Sequence, residues 1–396
     1  MWLERFSDAS VTSNVKHSSP ASEFRWLSRE LNQPHPPLLD AFTASTSVHM
    51  QRPAKRFFQD TIFVSIASFR DNECADSVKN MYEMALEPRR LFVGIVEQHS
   101  HDDRTCLPSA FLEGHSRLSF SPSDNVRIRR ISPREAKGPT FGRWVAMLMY
   151  RDEKYFMMID SHNRFSTHWE ETLVRMYGSL PSKKGVLSHY PAAFVNGTSQ
   201  HDMDHSTVTT VMCNAHFIDS GYLRLDGTVM SASAMPRVQP FAAAGFLFAN
   251  GSLVREVPFD PYLDFLFDGE EILYSARMWT HGWNIYAPSK NILYHFYGRS
   301  KAERVWSVKG NRWAFHQAIS VQRVQHLLQV TWKNSTKLIV PAGMKTDPRV
   351  MREIHKYGLG GVRSLSDYWI FAKVDPTSRT ADSAFCRGLT DQNNHR

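Results

Sequence analysis

The chain has 396 residues, 42% of them hydrophobic, and 47 Lys and Arg against 39 Asp and Glu leave a formal charge of +8. That length holds two ordinary domains or one large domain with extensions, so a small core is excluded, while the charge suits an anionic small ligand, nucleic acid or a membrane surface without choosing among them. No window approaches the roughly 18 continuous apolar residues needed to span a bilayer, so no membrane segment is expected.

Residues 1–60 are rich in Ser, Pro and His without a sustained period, and are expected to form a loosely ordered arm. The first residues, "MWLERFSDAS", lack the apolar core of a secretory signal, so the sequence as given is read as cytoplasmic, unless an N-terminal anchor is missing from the gene model. Cys74, Cys106, Cys213 and Cys386 lie far apart with no Cys-x-x-Cys pair, which predicts neither a zinc knuckle nor a disulfide scaffold but single buried thiols.

From Thr61 the pattern changes. "TIFVSIASF" is a β-branched, apolar run of strand length, followed by a predicted helix in "RDNECADSVKNMYEMALEP", with Asp71 as its cap, Val78, Met81, Tyr82 and Ala85 on one face and Pro88 as its stop. "RRLFVGIVEQ" reads as a second buried strand, completing a strand, helix, strand unit of the kind that builds parallel sheets. In "VRIRRISPREAK" apolar residues alternate with arginines, which fits a strand with one wet face or an anion-facing edge; no stacking motif accompanies it, so nucleic-acid binding is not expected.

A helix is predicted around Gly142–Arg151 and a third buried strand at Tyr155–Ile159. Asp160 and His162 follow directly, two positions apart, so that on an extended segment both face one side. Alone, this Asp-x-His fits an ordinary strand end as well as a metal site, although ligands of open parallel sheets do collect at such strand ends. Thr167 and Glu170 have capping-box spacing before a helix with Trp169, Leu173 and Met176 on its apolar face.

Residues 196–238 read as a loop-rich insertion around one short strand near Val211. Gly269-Glu270-Glu271 opens a predicted helix with Ile272, Ala276 and Trp279 on one face and Gly282 as its stop; on the residues alone the two glutamates read as complements of the helix dipole. "ILYHFYGR" carries a short strand into His295, Tyr297 and Arg299, where the histidine by itself reads as a core or surface residue. Trp313–Leu328 is predicted helical, and a frayed tail is expected after Val374.

Taken in order, "IFVSIASFRD", "LFVGIVEQ", "IDSHNRF", "FAAAGFLFA", "VPFDPYLDFLFDGEEILYSARMWTHGWNIYAP", "YHFYGR" and "KYGLGGVRSLSDY" resemble glycosyltransferase family sixty, the polypeptide α-N-acetylglucosaminyltransferases, which include protein-hydroxyproline GlcNAc-transferases and are similar in their core to the mucin-type GalNAc-transferases. The resemblance spans residues 61–374. It implies an α/β fold of the GT-A type, with a central mainly parallel sheet flanked by helices: a catalytic domain at 61–300, a helical extension at 301–374 packed on it and a flexible tail at 375–396. It further implies retaining transfer of GlcNAc from UDP-GlcNAc to a hydroxyproline, Ser or Thr hydroxyl of a polypeptide.

Carried over residue by residue, the resemblance places Mn2+ or Mg2+ on Asp160, His162 and His295. Ser65, Ala67, Ser68, Arg70 and Asp71 are expected against uridine and ribose, Arg134, Lys137 and Arg143 near the nucleotide, and Asp160 and Arg299 toward the diphosphate. Glu270 and Glu271 are the expected catalytic pair. Asn163 stands where many relatives have Met, and "FDGEE" replaces "WGGEN", which leaves the roles of Asp268, Glu270 and Glu271 undivided. With a missing anchor, the resemblance makes the Golgi lumen the alternative compartment.

Overall fold

Three apolar runs become neighbouring strands because each has enough apolar side chains to be buried on both faces. The computed structural model describes residues 60–108, 122–195, 197–218, 222–298, 302–308, 313–330 and 347–387, all within a unit spanning 58–396. The expected arm at 1–60 lies outside the described residues except for Asp60.

The strands in chain order are β1 (Ile62–Phe69), β2 (Leu91–Gln98), β3 (Val126–Ile131), β4 (Tyr155–Ile159), β5 (Asn163–Phe165), β6 (Gly185–Ser188), β7 (Ala192–Ala193), β8 (Val208–Phe217), β9 (Leu223–Ser231), β10 (Arg237–Gln239), β11 (Phe246–Asn250), β12 (Asn284–Ala287), β13 (Leu293–His295), β14 (Val374–Asp375) and β15 (Thr380–Ala381). Eight form one sheet in the order β10-β12-β6-β11-β4-β1-β2-β3. β1 pairs in parallel with β2 and β4, β2 with β3 and β6 with β12, whereas β11 and β10 run antiparallel to their neighbours. The α/β class with a mainly parallel sheet is therefore as the sequence predicted.

Helices α1 (Cys74–Glu83), α2 (Pro139–Met147), α3 (Trp169–Gly178), α4 (Glu270–Thr280), α5 (Trp313–Leu328) and α6 (Leu365–Ala372) include those that cover the sheet. On one face Ile62, Val64, Ile66, Val93 and Met157 meet Val78, Met81 and Tyr82 of α1 and Trp169 and Leu173 of α3. On the other, Phe63, Phe156 and Met158 meet Val145 and Ala146 of α2 and Tyr274 and Met278 of α4. A further cluster joins Ile272 and Ala276 of α4 to Leu223 and Leu225 of β9, Val321 and Val324 of α5 and Tyr368 of α6. Each fully buried aliphatic side chain contributes about 1.5–3 kcal/mol.

Several expectations are corrected. The segment 196–238 is not loop around one short strand: its centre is the long antiparallel hairpin β8–β9, bulged between Met212 and Asn214. Thr167 and Glu170 form no capping box. The Thr167 hydroxyl donates to Asp204 at 2.8 Å, while the Glu170 carboxylate, 0% exposed, accepts from the Leu86 and Glu87 amides and pairs with Arg90. α1 ends at Glu83, ahead of Pro88, and its cap position is Glu73, whose amide Asp71 accepts at 3.1 Å.

The cysteines are not single thiols. Cys74 is bonded to Cys106 and Cys213 to Cys386, and no described cysteine is free. The tail expected from 375 is accordingly anchored: β14 pairs with β15, and Cys386 ties residues beyond them to β8. Residues 388–396 lie outside the described set. Among the described residues no helix is long and apolar enough to cross a membrane.

Candidate active site

The carboxyl end of β4 delivers Asp160. Its amide donates to the Gly245 carbonyl at 3.4 Å, and a Cβ at Gly245 would lie 3.3 Å from Asp160 Oδ2, so the glycine of "FAAAGF" leaves room for this carboxylate. Asn163 donates its side-chain amide to the Asp160 carbonyl, turning the chain into β5.

β5 then pairs antiparallel with β13, in the register Leu293↔Phe165, Tyr294↔Arg164 and His295↔Asn163. Cross-strand pairing of these short segments is what brings a histidine 135 positions downstream to the Asp-x-His turn. Asp160, His162 and His295 each offer a ligand atom, and these atoms all lie within 4.8 Å of one another. The imidazoles meet edge to face with centroids 4.4 Å apart. One carboxylate oxygen and two imidazole nitrogens form a donor set that can hold a divalent cation and leave further positions open for oxygen ligands.

His162 Nδ1 lies 2.7 Å from Asp71 Oδ2, which also accepts from the Ser161 hydroxyl. His295 Nε2 lies 3.2 Å from Asp160 Oδ2, and Arg143 reaches Asp160 Oδ1 at 3.2 Å. Burial alone would raise the Asp160 carboxyl, but the His295 hydrogen bond and the Arg143 guanidinium outweigh it and hold it far below the usual carboxylate range.

Glu270 and Glu271 begin α4. Gly269 before them has φ 100°, a left-handed conformation that strains any residue with a Cβ. Glu270, 8% exposed, accepts from the Thr140 hydroxyl and from Arg143 at 2.7 Å, so α2 joins Glu270 to Asp160 through one arginine. Glu271 faces elsewhere, accepting from the Tyr190 hydroxyl at 2.6 Å and the Ala244 amide at 2.7 Å. Burial pushes its carboxyl up to about 7, against those two donors, with Glu270 adding to the rise. A pocket lies between these groups, lined by Thr140, Arg143, Ala243, Ala244, Glu270 and Glu271 among others.

The other expected residues divide. Ala67 and Ser68 stand at the carboxyl end of β1, toward the triad, whereas Ser65 is 1% exposed within the sheet between Gly94 and Met158. Arg70 is held by Asp103 at 2.9 Å and by Glu303, and Lys137 lies 3.4 Å from Asp264. Arg134 is exposed in the turn after β3. Arg143 is buried between two carboxylates rather than open to a nucleotide, and Asp71 faces His162. Arg299 lies outside the described residues.

Tyr190 and Thr140 were not singled out from sequence. Tyr190 follows β6 closely and could have been found by the strand-end argument that found Asp160. Thr140 carries no sequence signal beyond its place in the first turn of α2.

A sequence model of the family described as "Glycosyltransferase (GlcNAc)" matches residues 61–117 and 112–378. None of the curated proteins matches the chain by sequence. Among solved structures, the chain is similar to GalNAc-T7 with UDP, GalNAc and Mn2+ at 13% identity and a TM-score of 0.48, covering 67% of this chain and 48% of that one; it thus spans about half the length of that protein. It is also similar to S. aureus TarS 1-349 in complex with UDP-GlcNAc, at 12% identity and a TM-score of 0.42, covering 70% of this chain and 68% of that one.

Proposed function

Since the chain belongs to the glycosyltransferase (GlcNAc) family, we propose that it is a metal-dependent, retaining transferase of the GT-A type and of family sixty, which moves GlcNAc from UDP-GlcNAc to a hydroxyproline, Ser or Thr hydroxyl of a polypeptide. The observation that carries this reading is the convergence of Asp160, His162 and His295 at the carboxyl end of the parallel sheet, beside the glutamates that open α4.

A divalent cation held by these three side chains would neutralise charge growing on the diphosphate as the sugar leaves. Asp160 remains ionised at neutral pH because His295 and Arg143 stabilise its charge, which is the state a cation ligand needs. Arg143 couples that carboxylate to Glu270 and so fixes the head of α4 against the end of β4. Glu270 and Glu271 position donor and acceptor and stabilise positive charge developing on the sugar. As the anomeric carbon–phosphate oxygen bond breaks and the bond to the acceptor oxygen forms on the same face, the acceptor proton passes to the departing phosphate oxygen.

Two disulfides supply every cysteine of the chain with a partner, which favours an oxidising compartment and hence the Golgi lumen over the cytoplasm. The test is incubation of the purified protein with several UDP-sugars, Mn2+ and Ser, Thr and hydroxyproline peptides. Transfer from UDP-GlcNAc that Asp160→Ala and His162→Ala abolish, with the fold intact by circular dichroism, is the expected result. Full activity of both variants at limiting Mn2+ would overturn the metal assignment.

A further inference from the structure

Asp71 was expected against the nucleotide, yet its carboxylate is turned inward. The residue is 5% exposed in the turn between β1 and α1. One oxygen lies 2.7 Å from His162 Nδ1 and accepts the Ser161 hydroxyl; the other accepts the Glu73 amide at 3.1 Å. We propose that Asp71 is a positioning residue for a divalent-cation site, acting through His162, rather than a nucleotide contact.

An ionised carboxylate accepts and cannot donate, so the Asp71 contact calls for a proton on His162 Nδ1. The tautomer so fixed leaves the Nε2 lone pair for a cation, and the carboxylate also orients the ring and increases its basicity as a donor. Asp160, by contrast, is a direct member of the triad. The inference rests on the metal reading of Asp160, His162 and His295.

Asp71 is separable from the fold, because other bonds hold the same turn to α1. The Asn163 amide donates to the Ser77 hydroxyl at 2.7 Å, the Phe165 amide to Asn80 Oδ1 at 2.8 Å, and Arg164 pairs with Glu73 at 2.8 Å. Cys74, at the start of α1, is covalently tied to Cys106. With these in place, loss of the Asp71 carboxylate loosens one imidazole and leaves the turn that carries it.

The experiment compares wild type, Asp71→Asn, Asp71→Glu and His162→Ala. Mn2+ binding to the nucleotide-free protein is read by electron paramagnetic resonance, UDP affinity is measured at saturating Mn2+, and circular dichroism checks the fold. Asp71→Asn is expected to weaken Mn2+ binding by about 10–100-fold, with UDP affinity at saturating Mn2+ unchanged within about twofold and partial recovery in Asp71→Glu. Unchanged Mn2+ affinity in Asp71→Asn, where His162→Ala loses it, would overturn this role alone. Loss of UDP affinity in Asp71→Asn at saturating Mn2+ would instead make Asp71 the nucleotide contact. If wild type binds no Mn2+, or His162→Ala binds it as well as wild type, the metal reading falls and this proposal falls with it.

Discussion

Glu271→Gln should change how stability depends on pH. In the folded chain the Glu271 carboxyl is pushed from 4.5 up to about 7, first by burial and then by Glu270, against the Tyr190 and Ala244 donors and the Arg143 charge. An acid whose folded value is raised contributes stability that is full below the unfolded value and lost as pH rises through the folded one. At about 1.4 kcal/mol per unit, the whole shift corresponds to roughly 3 kcal/mol, of which about 2.5 kcal/mol is lost between about pH 5 and about pH 8. Glutamine keeps one oxygen for the Ala244 amide, turns an NH2 toward the Tyr190 hydroxyl, which can accept it, and cannot ionise, so this component vanishes in the variant. Urea unfolding of both proteins across that pH range measures it: relative to Glu271→Gln, wild type should become less stable by about 2.5 kcal/mol toward the alkaline end. A difference that stays constant from acid to alkaline pH would refute the raised carboxyl and the argument that burial dominates its surroundings.

Asp260 and Arg323 form an ion pair at 2.6 Å with both side chains 0% exposed, and Arg277 lies close enough to be influenced by the same carboxylate. Asp260→Ala leaves buried guanidinium charge without its carboxylate and should cost about 3–5 kcal/mol in urea unfolding; a loss under about 1 kcal/mol would show that the cluster relaxes or hydrates readily. Cys386→Ser should cost about 2–5 kcal/mol and leave one thiol, at Cys213, that reacts with a maleimide after unfolding. Wild type, unfolded without reductant, should show none.

What could be read from the sequence follows from how local each cause is. β4 has its predicted bounds, and β1 and β2 lie within their predicted runs, because burial on both faces writes a continuous apolar stretch. α5 and the start of α4 were equally legible, the latter through Gly269 and the two glutamates after it. The hairpin β8–β9 was missed because "VTTVMCNAHF" and "LRLDGTVMS" dilute strict alternation with polar residues and a glycine, and the bulge breaks the period again. The Thr167–Glu170 spacing failed for another reason: distant partners, Asp204 for one and the Leu86 and Glu87 amides for the other, outcompeted the local cap. His295 and Asp71 show the same limit at the site. Their neighbours in sequence do not disclose that β13 lies against β5, or that the turn after β1 faces His162.

The disulfide connectivity bears on how the chain is made. Four cysteines can pair in three ways, and this protein uses the arrangement in which each pairs with the next to be synthesised, at separations of 32 and then 173 residues. In the oxidising compartment proposed above, Cys74 and Cys106 would emerge well before Cys213, so the first bridge can close before Cys213 is made. Cys213 then has no remaining thiol to capture until Cys386 emerges. Order of emergence alone thus leads toward the native pairing, without an incorrect bridge that an isomerase would have to undo.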